Sequence, residues 1–313
     1  MQRQITFGGG VSPRGTLLRG QSIIEYVLIA AVIGLVVVFA GPQVSGAIRN
    51  QFNQVTNTVD SGASGDSFMS AEEKAYREAM KTVASKQAKD WTLDEQKAAA
   101  TDIAKNGTSS VVYAKAKAAM DAGTKFTMKL TNGKTLEYRN IGINHDDNAD
   151  GSGKAGLTFE ATSTTITSRM NATNTNAGGW EASELRAKMN SGEIWNLMPS
   201  EFQSKVKSVT KMTDNKGGGT VETPSATTDK VFLLSTTEVY GDLDSGGVQY
   251  EYYKSKGVTK ANYSEATSGS GGHWTRSVNP SLSTSFRYIA YGGNWSGSGY
   301  AASASWVFPA FCF

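Results

Sequence analysis

Cysteine, histidine and proline are scarce in this chain of 313 residues. A single cysteine, Cys312, excludes an intramolecular disulfide, so packing or a bound ion must hold any folded part together. The only histidines, His145 and His273, are not in a paired metal-ligand spacing. The sequence also lacks a Gly-x-Ser-x-Gly elbow, a phosphate-binding loop and a zinc motif. We therefore do not expect an enzyme.

Excess positive charge is absent once the first 20 residues are set aside. The formal net charge is +3, but residues 1–20 contain three arginines and no acid, which leaves 28 basic and 28 acidic side chains in the remainder. A neutral chain lacks the long-range field that concentrates basic proteins on phosphates, so nucleic-acid binding is not expected. A hydrophobic content of 39% with 6 Trp, 12 Tyr and 12 Phe predicts a folded protein with a real core.

An apolar run follows Gly20, and its one charged residue is an early acid, Glu25. The run extends to Ile48, which is long enough to span a bilayer at roughly 20 residues. A carboxylate within hydrocarbon costs on the order of 2.5–3.5 kcal/mol, so we expect a cationic amine as its partner. The preceding arginines favour a cytoplasmic N-terminus, with everything after Ile48 outside the membrane.

This stretch resembles the processing site and N-terminal helix of type IV pilins, most closely the Flp/Tad or type IVb branch. The resemblance implies that a prepilin peptidase cuts between Gly20 and Gln21 and methylates the new N-terminus. Glu25, followed by Tyr26, would then meet the α-amine of a neighbouring subunit while the helices bundle into a filament core. A plain membrane anchor is the alternative, and it leaves Glu25 unexplained.

Gly34 and Pro42 are weak points in the expected helix, because proline lacks an N–H and collides with the preceding turn. The pilin resemblance implies that the segment between them melts on assembly.

A small polar linker then precedes Ala-, Lys- and Glu-rich stretches, one of which opens with the capping-box pair Thr92 and Glu95. The expected fold class is α+β, with a β-rich head, and the predicted segments are a leader at 1–20, a pilin helix at 21–59, a linker at 60–69, a helical segment at 70–122 and a C-terminal surface domain at 123–313.

The C-terminal segment begins with a predicted β-hairpin, because Asn132-Gly133 is a turn signal between two strand-like stretches. It ends in an apolar run, Phe308 to Phe313, where we expect Cys312 to be a buried small hydrophobe. It also carries a series of short motifs in a fixed order. They are Asn-His-Asp-Asp at 144–147, Gly-Gly-Trp at 178–180, Lys-x-Phe-Leu-Leu-Ser at 230–235, Trp-Thr-Arg-Ser at 274–277 and Pro-Ala-Phe at 309–311. This series resembles a family of uncharacterised bacterial surface domains. The stretch Gly292-Gly-Asn-Trp295, with the Tyr, Ser and Asn residues around it, is also similar to C-type-lectin-like folds, and that similarity implies a ligand-binding face.

Rigid aromatics and adaptable Ser, Gly and Asn residues are typical of recognition surfaces. The alternative interpretation is that about half of these aromatics are core residues or cross-strand pairs. The predicted ligand-binding residues are Trp274, Arg276, Tyr291, Asn294, Trp295 and Tyr300.

Asp146, Asn148 and Asp150, followed by Gly151, match the first half of an EF-hand calcium loop. Leu157 occupies the twelfth position, where the bidentate acid belongs. The pattern therefore favours a hydrogen-bonded turn and leaves a calcium site as its alternative.

These observations predict a type IVb pilin that is held in the membrane, cleaved, and assembled into an extracellular filament with itself or other pilins. Its large head would be adhesive, with a glycan or protein on a host or other cell surface as ligand. A pseudopilin, or a membrane-anchored surface protein with a purely structural head, remains open as the alternative.

Overall fold

The computed structural model describes residues 70–241, 246–267, 271–295 and 297–313. The chain divides into two units, Met1–Ser70 and Ala71–Phe313, and the architecture below is that of the second unit. Within the described ranges, no helix combines the length and the apolar character needed to cross a membrane. The segments predicted as a leader at 1–20, a pilin helix at 21–59 and a linker at 60–69 lie outside the described residues. So do the predicted processing and assembly residues, which are Gly20, Gln21, Glu25, Tyr26, Gly34 and Pro42.

Three helices form the first part of the described chain, as the sequence predicts. They are α1 (Ala71–Ser85), α2 (Leu93–Asn106) and α3 (Tyr113–Asp121), with 3₁₀ turns at Ala88–Asp90 and Gly107–Ser109. Helix α2 begins with the predicted capping box, in which the Thr92 side chain accepts from the Glu95 N–H and the Glu95 side chain accepts from the Thr92 N–H. Both orphan donors at this helix end are therefore satisfied locally.

Helix α2 lies directly against the β-rich part of the unit. Its Ala99, Ala100 and Ile103 are buried. A Cβ added to Gly156 would stand 1.8 Å from the Ala100 carbonyl oxygen, so only glycine permits this approach of helix and chain. The helical segment and the β-rich part thus share one compact unit.

The strands are short and mostly antiparallel. Their bounds are β1 (Lys125–Lys129), β2 (Thr135–Ile143), β3 (Leu157–Ala161), β4 (Ile166–Ser168), β5 (Val209–Thr213), β6 (Ser225–Asp229), β7 (Val231–Phe232), β8 (His273–Val278), β9 (Ser285–Ile289), β10 (Ser298–Tyr300), β11 (Ser305–Val307) and β12 (Ala310–Cys312). One sheet has the order β1-β2-β3-β12-β7, a second has the order β10-β9-β8-β11-β4, and β5 pairs with β6. In these pairings, β11 with β8 is parallel and the others are antiparallel.

The β1–β2 hairpin forms where Asn132-Gly133 predicts a turn, with Lys129 opposite Thr135. Short helices fill the long connections between the later strands. They are α4 (Glu184–Asn190), α5 (Glu193–Leu197), α6 (Ser200–Gln203), α7 (Thr236–Tyr240) and α8 (Glu251–Ser255).

An aromatic cluster forms the centre of the core. Phe311 packs within 5.5 Å of the rings of Tyr138, Phe159 and Phe202, and Phe313 packs against it at 5.4 Å. Cys312, between them in sequence, is fully buried, as predicted, and burial raises the pKa of its thiol well above the usual value. The architecture is mixed α+β with a β-rich C-terminal region, which confirms that part of the predicted fold class.

Candidate functional site

Four charged side chains meet in the interior, and we call Asp146, Lys211, Glu238 and Arg276 the ion cluster. Lys211 Nζ lies 2.6 Å from Asp146 Oδ1 and 2.6 Å from Glu238 Oε1. Arg276 holds Glu238 with two nitrogens, Nη1 on Oε2 and Nη2 on Oε1. All four side chains are almost completely buried, and the two positive charges balance the two negative ones. Such balance is what allows charges to remain in a low-dielectric interior.

The secondary structure places these groups together. Lys211 lies in β5, where Val209, Lys211 and Thr213 are buried on one face of the strand. Asn148 forms an antiparallel bridge with Val209, and this register sets Asp146 opposite Lys211. Antiparallel neighbours on one face have Cβ atoms about 5 Å apart, which the two side chains easily span.

Glu238 is held at the start of its own helix, and Arg276 is held by groups of neighbouring elements. Glu238 lies in α7, where it completes a capping box with Ser235. Arg276, in β8, donates to the carbonyl oxygens of Leu233 at 2.8 Å and Met212 at 3.1 Å, and to Thr213 Oγ1 at 2.6 Å. Each guanidinium nitrogen therefore has a partner.

Burial and charge act in opposite directions on the ion cluster. Burial alone would raise the pKa of Glu238, but Arg276 and Lys211 lower it below its usual value. Burial would likewise lower the pKa of Lys211, but Asp146 and Glu238 raise it. The pKa of Asp146 is strongly lowered because Lys211 and His145 outweigh its desolvation. The resting cluster is therefore fully ionised.

Two hydroxyl groups complete the surroundings of Asp146 together with the Cys312 thiol, which donates to Oδ2 at 3.5 Å. Thr158 Oγ1 donates to its Oδ2 at 2.6 Å, and the Tyr250 hydroxyl lies 2.9 and 3.0 Å from its two oxygens. Burial raises the pKa of Tyr250 well above its usual value, so this hydroxyl keeps its proton. His145 stacks on the Tyr250 ring at 4.0 Å and pairs through Nδ1 with Glu251 at 3.0 Å. Burial opposes the imidazolium, but Glu251 and Asp146 raise the pKa of His145.

The predicted turn at Asp146 is present, and the atoms of a calcium loop are not arranged around it. Asp146 points inward, where its Oδ1 accepts from Lys211 and its Oδ2 from Thr158, while Asp150 accepts from the Ser152 N–H at 2.9 Å on the surface. Asn148 donates to Ser152 at 3.1 Å. In the described part of the chain, no group of three or more His, Cys, Asp or Glu side chains could hold a metal ion. The three residues therefore do not converge as the calcium interpretation requires.

Two of the predicted ligand-binding residues are in the interior, which corrects that prediction. Arg276 is 0% exposed and belongs to the ion cluster. Trp274 is buried, and its indole N–H donates to the Ser168 carbonyl at 3.0 Å. His273 stacks on Phe308 at 4.2 Å, and burial lowers its pKa to about 4. The motif at 274–277 is therefore a core strand, buried at every position.

The other predicted ligand-binding residues belong to one hairpin, residues 285–295 and 297–300, which we call the aromatic hairpin. It consists of β9 and β10, with Tyr300 opposite Ser285. Tyr291 is 81% exposed and Tyr300 is 59% exposed. Asn294 and Trp295 are half-buried, and the Lys260 amine lies 5.7 Å from the Trp295 ring. The Tyr240 hydroxyl anchors the turn by donating to the Gly293 carbonyl at 2.6 Å.

Lys211, Glu238 and Tyr250 were not singled out from the sequence. The sequence does contain a pattern that predicts burial of Lys211. Val209, Lys211 and Thr213 occupy every second position of one strand, so their side chains lie on the same, buried face. Glu238 follows Ser235 by three residues, which is a capping-box pattern. This pattern does not indicate that the Glu238 carboxylate also binds Arg276.

Comparison with known families matches residues 153–313 to the family described as "Domain of unknown function (DUF6273)". The match covers just over half of the chain, so the chain belongs to this family. It includes Lys211, Glu238, Arg276 and the aromatic hairpin, whereas Asp146 precedes it. No curated protein and no solved structure matches the chain.

Proposed function

We propose that the chain is a type IVb (Flp/Tad-like) pilin subunit that displays a large C-terminal head on the cell surface. The observation that carries the proposal is the sequence from Gly20 to Ile48, where a glycine, an acid five residues later and an apolar run coincide at the pilin spacing. In this proposal Gly20 is the last residue of the leader, and the mature chain begins at Gln21. It starts in the membrane and ends in an extracellular filament.

Glu25 aligns the incoming subunit in this mechanism. Its carboxylate pairs with the positive α-amine of a neighbouring chain, and the attraction is strong because the filament core has a low dielectric constant. Tyr26 and the residues up to Pro42 form the helix that bundles, and Gly34 to Pro42 is the part that unwinds on assembly.

An adhesive role for the head is the second part of the proposal. The compact unit Ala71–Phe313 has its own core and carries Tyr291 and Tyr300 exposed on one hairpin. Exposed tyrosines supply rigid contact area at a low entropy cost, which suits a glycan or protein ligand. A C-type-lectin-like arrangement of the head is part of this proposal. The short strands and long connections support it.

A pseudopilin or a membrane-anchored protein with a purely structural head is the competing function. The family description assigns no function, so the two must be separated by experiment. A structural head would pack against the heads of neighbouring subunits and cover Tyr291 and Tyr300, whereas an adhesive head must leave these tyrosines accessible to a ligand.

The test of assembly is Glu25→Ala in the full chain, with sheared surface fibres and whole cells probed for the protein. We expect the variant to be cleaved normally and to be absent from the fibres. Gln51→Ala, a polar change beyond the apolar run, is the matched control and should enter fibres normally. A Glu25→Ala protein that enters fibres as well as the control would contradict the proposal.

The test of adhesion is binding of fibres to glycan arrays and to immobilised surface proteins. Fibres that carry Tyr291→Ala and Tyr300→Ala should lose binding while their amount stays unchanged. If unmodified fibres bind none of these surfaces, the adhesive part fails and the structural alternative gains support.

A further inference from the structure

We propose that Lys211 and Asp146 become joined by an intramolecular isopeptide bond, with Glu238 as the group that moves the proton. Nothing in the pilin proposal requires this bond, and the two can succeed or fail independently. The inference rests on the placement of three buried groups and on the chemistry of an amine beside a carboxyl group.

The geometry brings the two reacting groups into contact. Asp146, in the turn after β2, lies opposite Lys211 of β5 next to the Asn148–Val209 bridge, and Nζ lies 2.6 Å from Oδ1. Both side chains are 3% exposed, so bulk water does not compete with the amine or reverse the condensation. Aromatic rings enclose the amine, with Phe232 at 4.4 Å and Tyr250 at 5.3 Å from Nζ. Two groups held in this way have a high effective concentration.

The surroundings select Asp146, and not Glu238, as the carboxyl that reacts. Arg276 contacts both oxygens of Glu238, and the Ser235 N–H donates to Oε2 at 3.0 Å, so this carboxylate is held as an anion. Anionic carboxylates are poor electrophiles, so the carboxyl group that reacts must first take up a proton, and the resting, ionised Asp146 can take up the proton that Lys211 gives away. Asp146 has no arginine beside its oxygens and receives the hydroxyl groups of Tyr250 and Thr158. These donors can stabilise the oxygen that gains negative charge when the amine adds.

Glu238 supplies the route for the proton. Its carboxylate, 2.6 Å from Nζ, accepts a proton from the Lys211 ammonium and leaves a neutral amine. Glu238 passes this proton to one Asp146 oxygen, which converts the carboxylate into a neutral carboxyl group. The nitrogen lone pair then forms a bond to Cγ of Asp146, a second proton moves from the nitrogen to the same oxygen, and the C–O bond breaks to release one water. An ammonium and a carboxylate thereby become an amide and water, and Glu238 ends as it began.

The bond would replace what a disulfide supplies in other extracellular proteins. It closes a loop between positions that are 65 residues apart, in a chain with one cysteine. A cross-link of this length restricts the unfolded chain much as a disulfide does. It would also tie the turn after β2 to β5.

The test is the intact mass of the purified full chain under denaturing conditions. We expect a mass lower than that of the unlinked chain by one water, and a tryptic digest in which cleavage after Lys211 fails and the peptides that contain Asp146 and Lys211 travel as one species. A full unlinked mass, with both peptides recovered separately, would overturn the proposal. This result does not depend on any variant folding correctly.

Variants then assign the roles. Lys211→Arg should restore the full mass, and Glu238→Gln should leave most of the chain unlinked because the proton acceptor is lost. Lys154→Arg is the matched control. The Lys154–Asp147 pair has the same residue types at 2.8 Å, but its side chains are 45% and 69% exposed, so we expect the unmodified chain to have no link there and the variant to keep the Lys211 link. Full linkage in Glu238→Gln would overturn the role of Glu238.

Discussion

The ion cluster and the aromatic hairpin reverse the usual distribution of residue types. Charged side chains are buried in the first, while tyrosines are exposed by 81% and 59% in the second. The cluster tolerates burial because each charge has an opposite partner and hydrogen bonds to its remaining atoms. Tyr291 is exposed in the turn between β9 and β10, and Tyr300 is exposed in β10, at the edge of its sheet. Residue type alone therefore does not tell interior from surface in this molecule.

The comparison separates stability from recognition. A change in the ion cluster leaves an unpaired charge in the core, so it should act on folding. A change in Tyr291 or Tyr300 removes exposed area, so it should act on binding and leave folding unchanged. The predictions below test that separation, from the largest expected effect to the smallest.

Arg276→Met should give the largest loss of stability. It leaves Glu238 buried without its main counter-charge, and breaking a buried ion pair in this way costs about 3–5 kcal/mol. Urea unfolding of the full chain, followed by tryptophan fluorescence, measures the change. Arg77→Met is the control, because Arg77 pairs with Glu73 on the surface and should cost less than about 1 kcal/mol. Equal losses in the two variants would show that the cluster is not a special source of stability.

Acid should weaken the interior through His273. Burial depresses its folded pKa to about 4, while its unfolded pKa is about 6.5, so protonation favours the unfolded chain as the pH falls between these values. The loss should reach roughly 3 kcal/mol near pH 4, since one pKa unit corresponds to about 1.4 kcal/mol. His273→Phe keeps a ring on Phe308 and should remove this part of the pH dependence.

His145 acts in the opposite direction, but it is present in both proteins. The difference between the unfolding free energies of the natural chain and His273→Phe, followed against pH, therefore isolates His273. The folded pKa of His145 is raised, so its contribution is present at low pH and is lost as the pH rises through that pKa. Parallel curves for the natural chain and His273→Phe between pH 7 and 4 would contradict the assignment.

Gly156→Ala should have an intermediate effect on the interior. Its Cβ would meet the Ala100 carbonyl oxygen at 1.8 Å, and because that atom belongs to the backbone of α2, the helix must shift. Overpacking of this kind costs about 1–3 kcal/mol. Urea unfolding checks it, with the exposed Lys154→Ala as a nearby control. A neutral Gly156→Ala would mean that the helical segment does not pack tightly on the β-rich part.

Tyr291→Ala and Tyr300→Ala should have the smallest effect on stability, within about 0.5 kcal/mol, because both side chains are exposed. We expect the same variants to lower adhesion of fibres to ligand-bearing surfaces. Val111→Ala removes another exposed apolar side chain, in the helical segment, and should change neither property. A loss of stability comparable to that of Arg276→Met would abolish the distinction between the two regions.

Local signals in the sequence predicted much of the fold. The capping box at Thr92, the hairpin at Asn132-Gly133 and the burial of Cys312 depend on neighbouring residues, and the structure confirms all three. The ion cluster could not be predicted in this way. Asp146 and Arg276 stand 130 positions apart, and they belong to one cluster only because Lys211 contacts both Asp146 and Glu238 while Arg276 contacts Glu238.

The candidate surface was predicted only in part, for a related reason. Trp274 and Tyr291 belong to one aromatic-rich sequence region, but Trp274 lies in a strand covered on both sides while Tyr291 lies in a turn. Period-two alternation, which separates the faces of a half-buried strand, gives no signal when every position is buried. The distinction therefore needed the three-dimensional packing.

The most direct test of the account is the mass of the protein in fibres sheared from the cell surface. The account predicts a chain that begins at Gln21 with a methylated amino group. A further deficit of one water, mapped to Asp146 and Lys211, would report the isopeptide bond separately from the cleavage. A surface protein that still carries Met1 and its three leader arginines, or one that is missing from the fibres, would contradict the pilin assignment.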